Sequence, residues 1–351
     1  MNARRIAAAA GLTIAASVGL VAGPAHAAVV GAVSPGEASY DRPSIVNLYS
    51  NTEEIAWAGT DADGTVNYAE INSSGAIQST AHTDTSSSTY PGTGVTLNYY
   101  PSLYAPTLDF VVITWTDLSS RVHVGLIGNG VQCESTDFGD SVVTPSLTFA
   151  ANSADQSEGI GLFLTTVDSD GAMHVTEVQN DGCANPDTGI RGGSNTLTPG
   201  ASTAISGQTS WDGPTLLDTT PNSSPTFYLV WAGTNSAHNL NIGGFGFGAS
   251  STNLSSHIVE SDHATKTDLG NSYGSRGTLF TYCGTNNVAY GQVFNGGASE
   301  PSELTLGGSC AVYTSGGYVN GGVDVTYDGG AGGYLYLYPN VSSQALVLGK
   351  Y

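Results

Sequence analysis

The chain has 351 residues, of which only 11% are charged, and its 29 acids against 8 Lys and Arg give a formal net charge of −21. So acidic a surface repels phosphate backbones and anionic lipid headgroups, which excludes nucleic acid and membrane surfaces as partners. The charge reads first as a solubility device, and the length suits one large β domain or two ordinary ones.

In chain order the first segment is an export signal. Arg4 and Arg5 form a positive start, Ile6 to about Val21 is apolar and Ala-rich, and Ala25-His26-Ala27 supplies the small-x-small pattern of a cleavage site. Residues 1–27 are therefore set aside as a signal peptide, with 28–351 as a single secreted, extracellular domain. The apolar run is too short for a membrane anchor, and no later run is long enough to span. The Arg pair leaves Sec and twin-arginine export both open. An exported chain meets an oxidising compartment, so Cys133, Cys183, Cys283 and Cys310 are expected to form two disulfides. No C-x-x-C and no paired His beside a Cys argue against zinc.

After the signal, Gly, Ser, Thr, Asn and Asp punctuate short runs of Val, Ile, Leu, Tyr, Phe and Thr, which is a chain of strands and tight turns. Six segments share one layout: an apolar strand often ending in an aromatic, a polar turn, and a second apolar strand. Trp57, Trp115, Leu164, Trp231, Tyr282 and Tyr338 fall in register, 58, 49, 67, 51 and 56 positions apart. Four short strands need about that length, which is one propeller blade. The expected fold is all-β, a six-bladed β-propeller of four-stranded antiparallel blades near 43–83, 99–138, 143–187, 212–260, 264–309 and 318–351. Inner strands are expected at Ser44–Tyr49, Pro145–Phe149, Pro214–Leu217 and Gly322–Tyr327, and outer ones at Ala76–Thr80 and Ser302–Leu306. The Gly/Ser/Thr-rich stretch from about Gly189 to Gly207 reads as a long loop. The sixth unit stops at its third strand, so residues 28–33 are expected to supply its outer strand and close the ring. Cys283 then ends a second strand and Cys310 follows the fourth of the same blade. That pairs Cys283 with Cys310 and, by elimination, Cys133 with Cys183.

Propeller geometry gathers the turns after each second strand on one face with the inter-blade connections. Asp61, Asp117 and Asn235 belong to that ring. Turn capping is their plainest role, and ligand contact the alternative. Asp61-x-Asp63-Gly64 and Asp168-x-Asp170-Gly171 resemble the start of a calcium loop, but no bidentate Glu follows, and no cofactor is expected. Trp57, Trp115 and Trp231 end strands and read as packing. Trp211, beside Asp212, lies in a blade-to-blade loop, and Tyr99, Tyr100 and Tyr104 lie in or beside another. Exposed aromatics next to carboxylates or amides suit sugars, because C–H faces stack on the ring and hydroxyls bond to the acids. No G-x-S-x-G and no H-E-x-x-H occurs. A carboxylate pair for glycoside cleavage stays open, with no pair singled out.

Trp57-Ala58-Gly59-Thr60-Asp61 and Phe227-Tyr228-Leu229-Val230-Trp231-Ala232-Gly233-Thr234, followed by Asn239-Leu240-Asn241-Ile242, resemble the repeats of secreted bacterial propellers, some of them fucose-binding lectins. The resemblance implies a propeller that binds sugar on one face. No unit completes the S-x-D-x-G-x-x-W box of sialidases. The leader and the Ala/Gly/Thr bias also suggest an actinobacterial secreted protein. Such bacteria export propellers that act on proteases or serve as transglutaminase substrates, and by that analogy Gln78 and Gln344 would be acyl donors. The expected function is lectin-like binding by a monomer, with a glycan or an extracellular protein as partner. The alternatives are a glycoside hydrolase or lyase, and a protein-interaction module.

Overall fold

A computed structural model describes residues 28–33, 37–48, 52–60, 64–78, 82–89, 93–101, 109–128, 130–151, 160–180, 197–218, 227–264, 268–274, 277–294, 302–313, 319–328, 333–340 and 342–351. The signal-peptide segment, Asp61, Tyr104 and Cys183 lie outside them.

The described residues form strands throughout. After β1 (Ala28–Ala32), blade 1 holds β2 (Ser44–Leu48), β3 (Thr52–Ala58), β4 (Thr65–Asn72) and β5 (His82–Ser88). Blade 2 holds β6 (Val95–Pro101), β7 (Asp109–Thr116), β8 (Val122–Gly128) and β9 (Gly130–Ser135). Blade 3 holds β10 (Ser146–Ala151), β11 (Ile160–Val167), β12 (Ala172–Asn180) and β13 (Leu197–Thr209). Blade 4 holds β14 (Thr215–Asp218), β15 (Phe227–Ala232), β16 (Asn239–Phe245) and β18 (Ser256–His263), while its short β17 (Ser251–Thr252) reaches back to pair with β13. Blade 5 holds β19 (Asp268–Gly274), β20 (Gly277–Cys283), β21 (Val288–Phe294) and β22 (Ser302–Ser309). After β23 (Ala311–Tyr313), blade 6 holds β24 (Val319–Asp328), β25 (Gly333–Pro339) and β26 (Leu346–Lys350). The chain is a six-bladed propeller, and its last blade is completed by β1, which pairs antiparallel with β26 from Ala28↔Lys350 to Ala32↔Val347.

Strand alternation explains why the blades stack in a circle. Successive side chains point to opposite faces, so each strand feeds two interfaces. In β3, Ile55 and Trp57 join a cluster with Leu335, Leu337 and Leu348 of blade 6, while Ala56 and Ala58 join one with Val95, Ile113 and Trp115 of blade 2. One such apolar cluster fills each of the six interfaces. The first strands also bond one another around the axis. Asp324 Oδ2 accepts from Ser44 Oγ (2.6 Å) and the Ile45 amide (3.0 Å), and Ser44 Oγ accepts from the Leu97 amide (2.9 Å). Asn98 Nδ2 donates to the Leu147 carbonyl (3.0 Å), and Ser146 Oγ meets Thr215 Oγ1 (3.3 Å). β14 packs beside β19, and β19 pairs in parallel with β24, which closes the circle.

Three strand expectations need correction. The residue equivalent to Trp115 in blade 3 is Thr166, not Leu164: Thr166 pairs with His174 as Trp115 pairs with His123, one step before the turn. Thr166 is too small to fill that interface, and Phe138, from the connection between blades 2 and 3, packs there instead. The stretch read as a long loop contributes β13, whose Leu197, Thr203 and Ile205 turn inward while small polar residues face out. The outer strand of blade 1 is β5, not Ala76–Thr80, because Asn72 Oδ1 accepts from the amides of Ser74 and Ala76 and spends that segment on a turn.

Cys283 is joined to Cys310 with Cα atoms 5.8 Å apart, as the blade register requires. Cys133 is also disulfide-bonded.

Candidate ligand-binding site

Every turn between a second and third strand places one residue at positive φ: Gly64 (59°), Ser120 (66°), Gly171 (83°), His238 (51°), Asn287 (64°) and Gln344 (58°). The carbonyl of each accepts from an amide that follows the blade's outer strand: Thr89 (3.1 Å), Ser141 (2.8 Å), Ser210 (3.0 Å), Ala264 (3.2 Å), Cys310 (3.0 Å) and, for the last blade, Ser39 (2.9 Å). Turns and inter-blade connections are thus clamped together on one face, here termed the upper face.

Three of the connections begin with the same serine turn. Ser39, Ser141 and Ser210 donate through Oγ to the carbonyl two residues on, at 2.9, 2.9 and 2.6 Å. The turn pushes the next side chain outward, which leaves Val142 36% and Trp211 37% exposed. The other three tryptophans are at most 1% exposed. The Trp211 amide bonds the Ala232 carbonyl (2.8 Å), which fixes the backbone beneath the ring. Asp212 does not face solvent with it. It is 3% exposed, and its Oδ1 accepts from the Gly213 amide at 2.8 Å, so it shapes the connection.

The indole of Trp211 stacks on the imidazole of His238, centroids 4.2 Å apart and planes 28° from parallel. Around the pair, Thr209 Oγ1 meets Thr234 Oγ1 (2.9 Å), and Asn235 Nδ2 donates to Asn239 Oδ1 (3.2 Å). An aromatic ring edged by neutral hydroxyls and amides can take an apolar sugar face and its hydroxyls together. Asn235 therefore sits at this corner, partly committed to its own turn.

Asp117 lies at a different corner, on blade 2. Its Oδ1 accepts from the amides of Ser119 (2.7 Å) and Arg121 (3.0 Å), and its Oδ2 from Arg121 Nη2 (3.0 Å) and His123 Nε2 (3.1 Å). Desolvation pushes this carboxyl up, but the bonds from His123, Arg121 and Ser119 outweigh it and hold it down at about 2. Burial likewise pulls His123 down, while Glu134 and Asp117, one on each ring nitrogen, raise it overall. The imidazole also stacks on Trp115 at 4.8 Å. Blade 3 repeats the pair, with His174 Nε2 3.4 Å from Asp168 Oδ2. The spacing D-x5-H recurs in these two adjacent blades and is legible in the sequence. Asp168 Oδ1 is taken by the amides of Asp170 and Ala172, both at 2.9 Å, so the calcium-like segment closes its own turn. Among the described residues no group of three or more His, Cys, Asp or Glu is placed to hold a metal ion.

Tyr99 and Tyr100 belong to β6, the first strand of blade 2, and not to an inter-blade loop. Asp61 falls outside the described residues. The sequence reading missed His238, whose role shows only once the turns are aligned by their hairpin partners.

A carboxyl displaced upward in titration lies elsewhere. Glu54, 5% exposed in the first half of β3, is pushed up to about 8 by burial and then by its cross-strand neighbour Glu70. It lies toward the end of the blade opposite the upper face.

No protein-family model matches the chain, and no curated protein matches it in sequence. Solved structures share its fold. The SapL1 lectin in complex with alpha methyl fucoside is 11% identical with a TM-score of 0.54, covering 90% of this chain and 94% of that one. The fucose-recognising six-bladed lectin of Aleuria aurantia is 9% identical with a TM-score of 0.50, covering 90% and 96%. A putative oxidoreductase (glucose dehydrogenase) of Thermus thermophilus is 12% identical with a TM-score of 0.51, covering 93% and 99%. These likenesses establish the fold, which hosts more than one chemistry.

Proposed function

We propose that this protein is a carbohydrate-binding propeller of lectin type, acting outside the cell, and that Trp211 is the stacking surface of one sugar site. The single observation that carries the reading is an exposed indole in a chain whose other tryptophans are buried, held at a fixed tilt on the face where turns and connections converge. An exposed aromatic face beside hydroxyls and amides suits a sugar, whose C–H face stacks on the ring while its hydroxyls bond to the polar groups. The fucoside-bound propeller lectin among the structural neighbours supports the same ligand class.

The test is a glycan array on the mature protein, followed by titration of the best ligand and of methyl α-L-fucoside into wild type and Trp211→Ala. Binding that falls in the variant while its melting temperature holds supports the site. Unchanged affinity sinks the assignment to Trp211. Silence across the whole array favours the interaction-module alternative. Secretion is tested separately, by sequencing the N-terminus of the exported protein, expected at Ala28.

A further inference from the structure

His238 stands at a position where blades 1 and 3 carry Gly64 and Gly171, with φ of 51°. L side chains adopt that conformation rarely, and glycine adopts it freely. The turn that holds it is longer than those of blades 2 and 3. Seven residues separate the last strand pair Ala232↔Leu240, as between Ala58↔Val66 in blade 1, against five between Thr116↔Val122 and Val167↔Met173. The ring is then locked: Nδ1 lies 3.2 Å from the Gly233 carbonyl and donates to it. Thus oriented, the imidazole lies flat against Trp211 at 4.2 Å.

The neighbouring connection shows what happens without this device. Val142 occupies the place of Trp211, its amide bonding the Val167 carbonyl as that of Trp211 bonds the Ala232 carbonyl, and the matching turn residue there is Gly171. Of the three serine-turn connections only the one carrying Trp211 has an imidazole at the matching turn position; for Tyr40 and Val142 that residue is Gly64 and Gly171. Ser120, Asn287 and Gln344 share the positive φ, so what sets His238 apart is its ring contact with Trp211.

We infer that His238 is a positioning residue: it backs one face of the Trp211 indole so that the exposed surface of the ring is presented, preorganised, to a ligand. This rests on the proposed sugar site, but its test separates the two. Trp57, Trp115 and Trp231 are at most 1% exposed, so acrylamide quenching of fluorescence reports Trp211. The variants are His238→Gly, which relieves the backbone, and His238→Asn, which tolerates the same φ without a ring. Ser120→Gly, at φ 66° in blade 2, is the control.

Loss of the imidazole should raise the quenching constant by about twofold in both His238 variants and weaken binding of methyl α-L-fucoside by about fivefold, the usual scale of lost preorganisation. The melting temperature of His238→Gly should hold or rise, and Ser120→Gly should leave quenching unchanged. A purely structural role for His238 predicts the opposite: a lower melting temperature with quenching unaltered. Identical quenching constants in wild type and both His238 variants overturn the inference. A wild-type protein indifferent to the fucoside counts against the sugar reading alone, and the quenching comparison still decides the positioning role.

Discussion

Replacing Glu54 with Gln should stabilise the protein at neutral pH and not at acid pH. Glu54 is 5% exposed, and burial followed by Glu70 raises its carboxyl from 4.5 to about 8. A carboxyl whose folded-state value is raised binds its proton more tightly in the native protein. Stability therefore falls as pH rises from about 4.5 to about 8, and is level above that. At pH 7 the unfolded chain has gained about 2.5 pH units of ionisation that the folded one resists, which at 1.36 kcal/mol per unit is about 3 kcal/mol. Glutamine removes that penalty but buries an amide, at a cost of about 1 kcal/mol. The net gain of about 2 kcal/mol corresponds to roughly 4 °C in a domain of this size. At pH 5 the ionisation penalty is below about 1 kcal/mol, so the variant should melt with wild type or slightly below it. Calorimetry of both proteins at pH 5, 6, 7 and 8 reads the difference directly. A melting difference constant across that range would refute the reasoning, since it would show that Glu54 exchanges no protons on unfolding.

Deleting residues 28–33 removes β1 and exposes the edge of β26, so the truncated protein should aggregate or lose its cooperative melt; a melt like that of the intact mature chain would count against ring closure by that strand. Trp231→Ala, a buried aromatic deletion, should cost about 3–5 kcal/mol of stability in denaturant titration, whereas Trp211→Ala should cost about 1–3 kcal/mol of ligand affinity and little stability. Replacing Cys283 and Cys310 together by Ser opens a covalent link spanning 27 positions, and should cost about 3–4 kcal/mol by loop entropy. His123→Ala should destabilise by about 1–2 kcal/mol below pH 6.5, where the imidazolium bonds Asp117 and Glu134. Because the folded-state value of His123 is raised, that difference should shrink as pH climbs through it. A pH-independent loss would mean the ring acts by packing alone.

Much of the fold was legible because two-strand units recur with an aromatic one step before the turn. That signal is physical: the position plugs the interface with the preceding blade, so it is large in blades 1, 2, 4, 5 and 6. The one slip fell where the plug is Thr166, since Leu164 was the nearest large residue of the same face and Phe138 fills the gap from outside the repeat. β5 and β13 were hidden because outer strands face solvent and can be built of Ser, Thr and Gly, the same residues that mark loops. Composition cannot separate those cases. Pairing with β4 and β12 does.

The candidate site was half legible for a related reason. Trp211 stood out because an inter-blade connection gives a tryptophan no interface to plug. Asp212 misled because a connection must also satisfy its own backbone, and the Gly213 amide claims the carboxylate. His238 was invisible because backbone sign is not written in side-chain type: of the six equivalent turn residues, two are glycine and four are not. The repeat needs a positive φ at all six to present the carbonyl that clamps each connection. Where that requirement is met by glycine, the fold alone accounts for the residue. Ser120, Asn287 and Gln344 meet it too, so backbone sign alone does not mark His238; what marks it is the stacking of its ring on the one exposed tryptophan, which no turn requirement asks for.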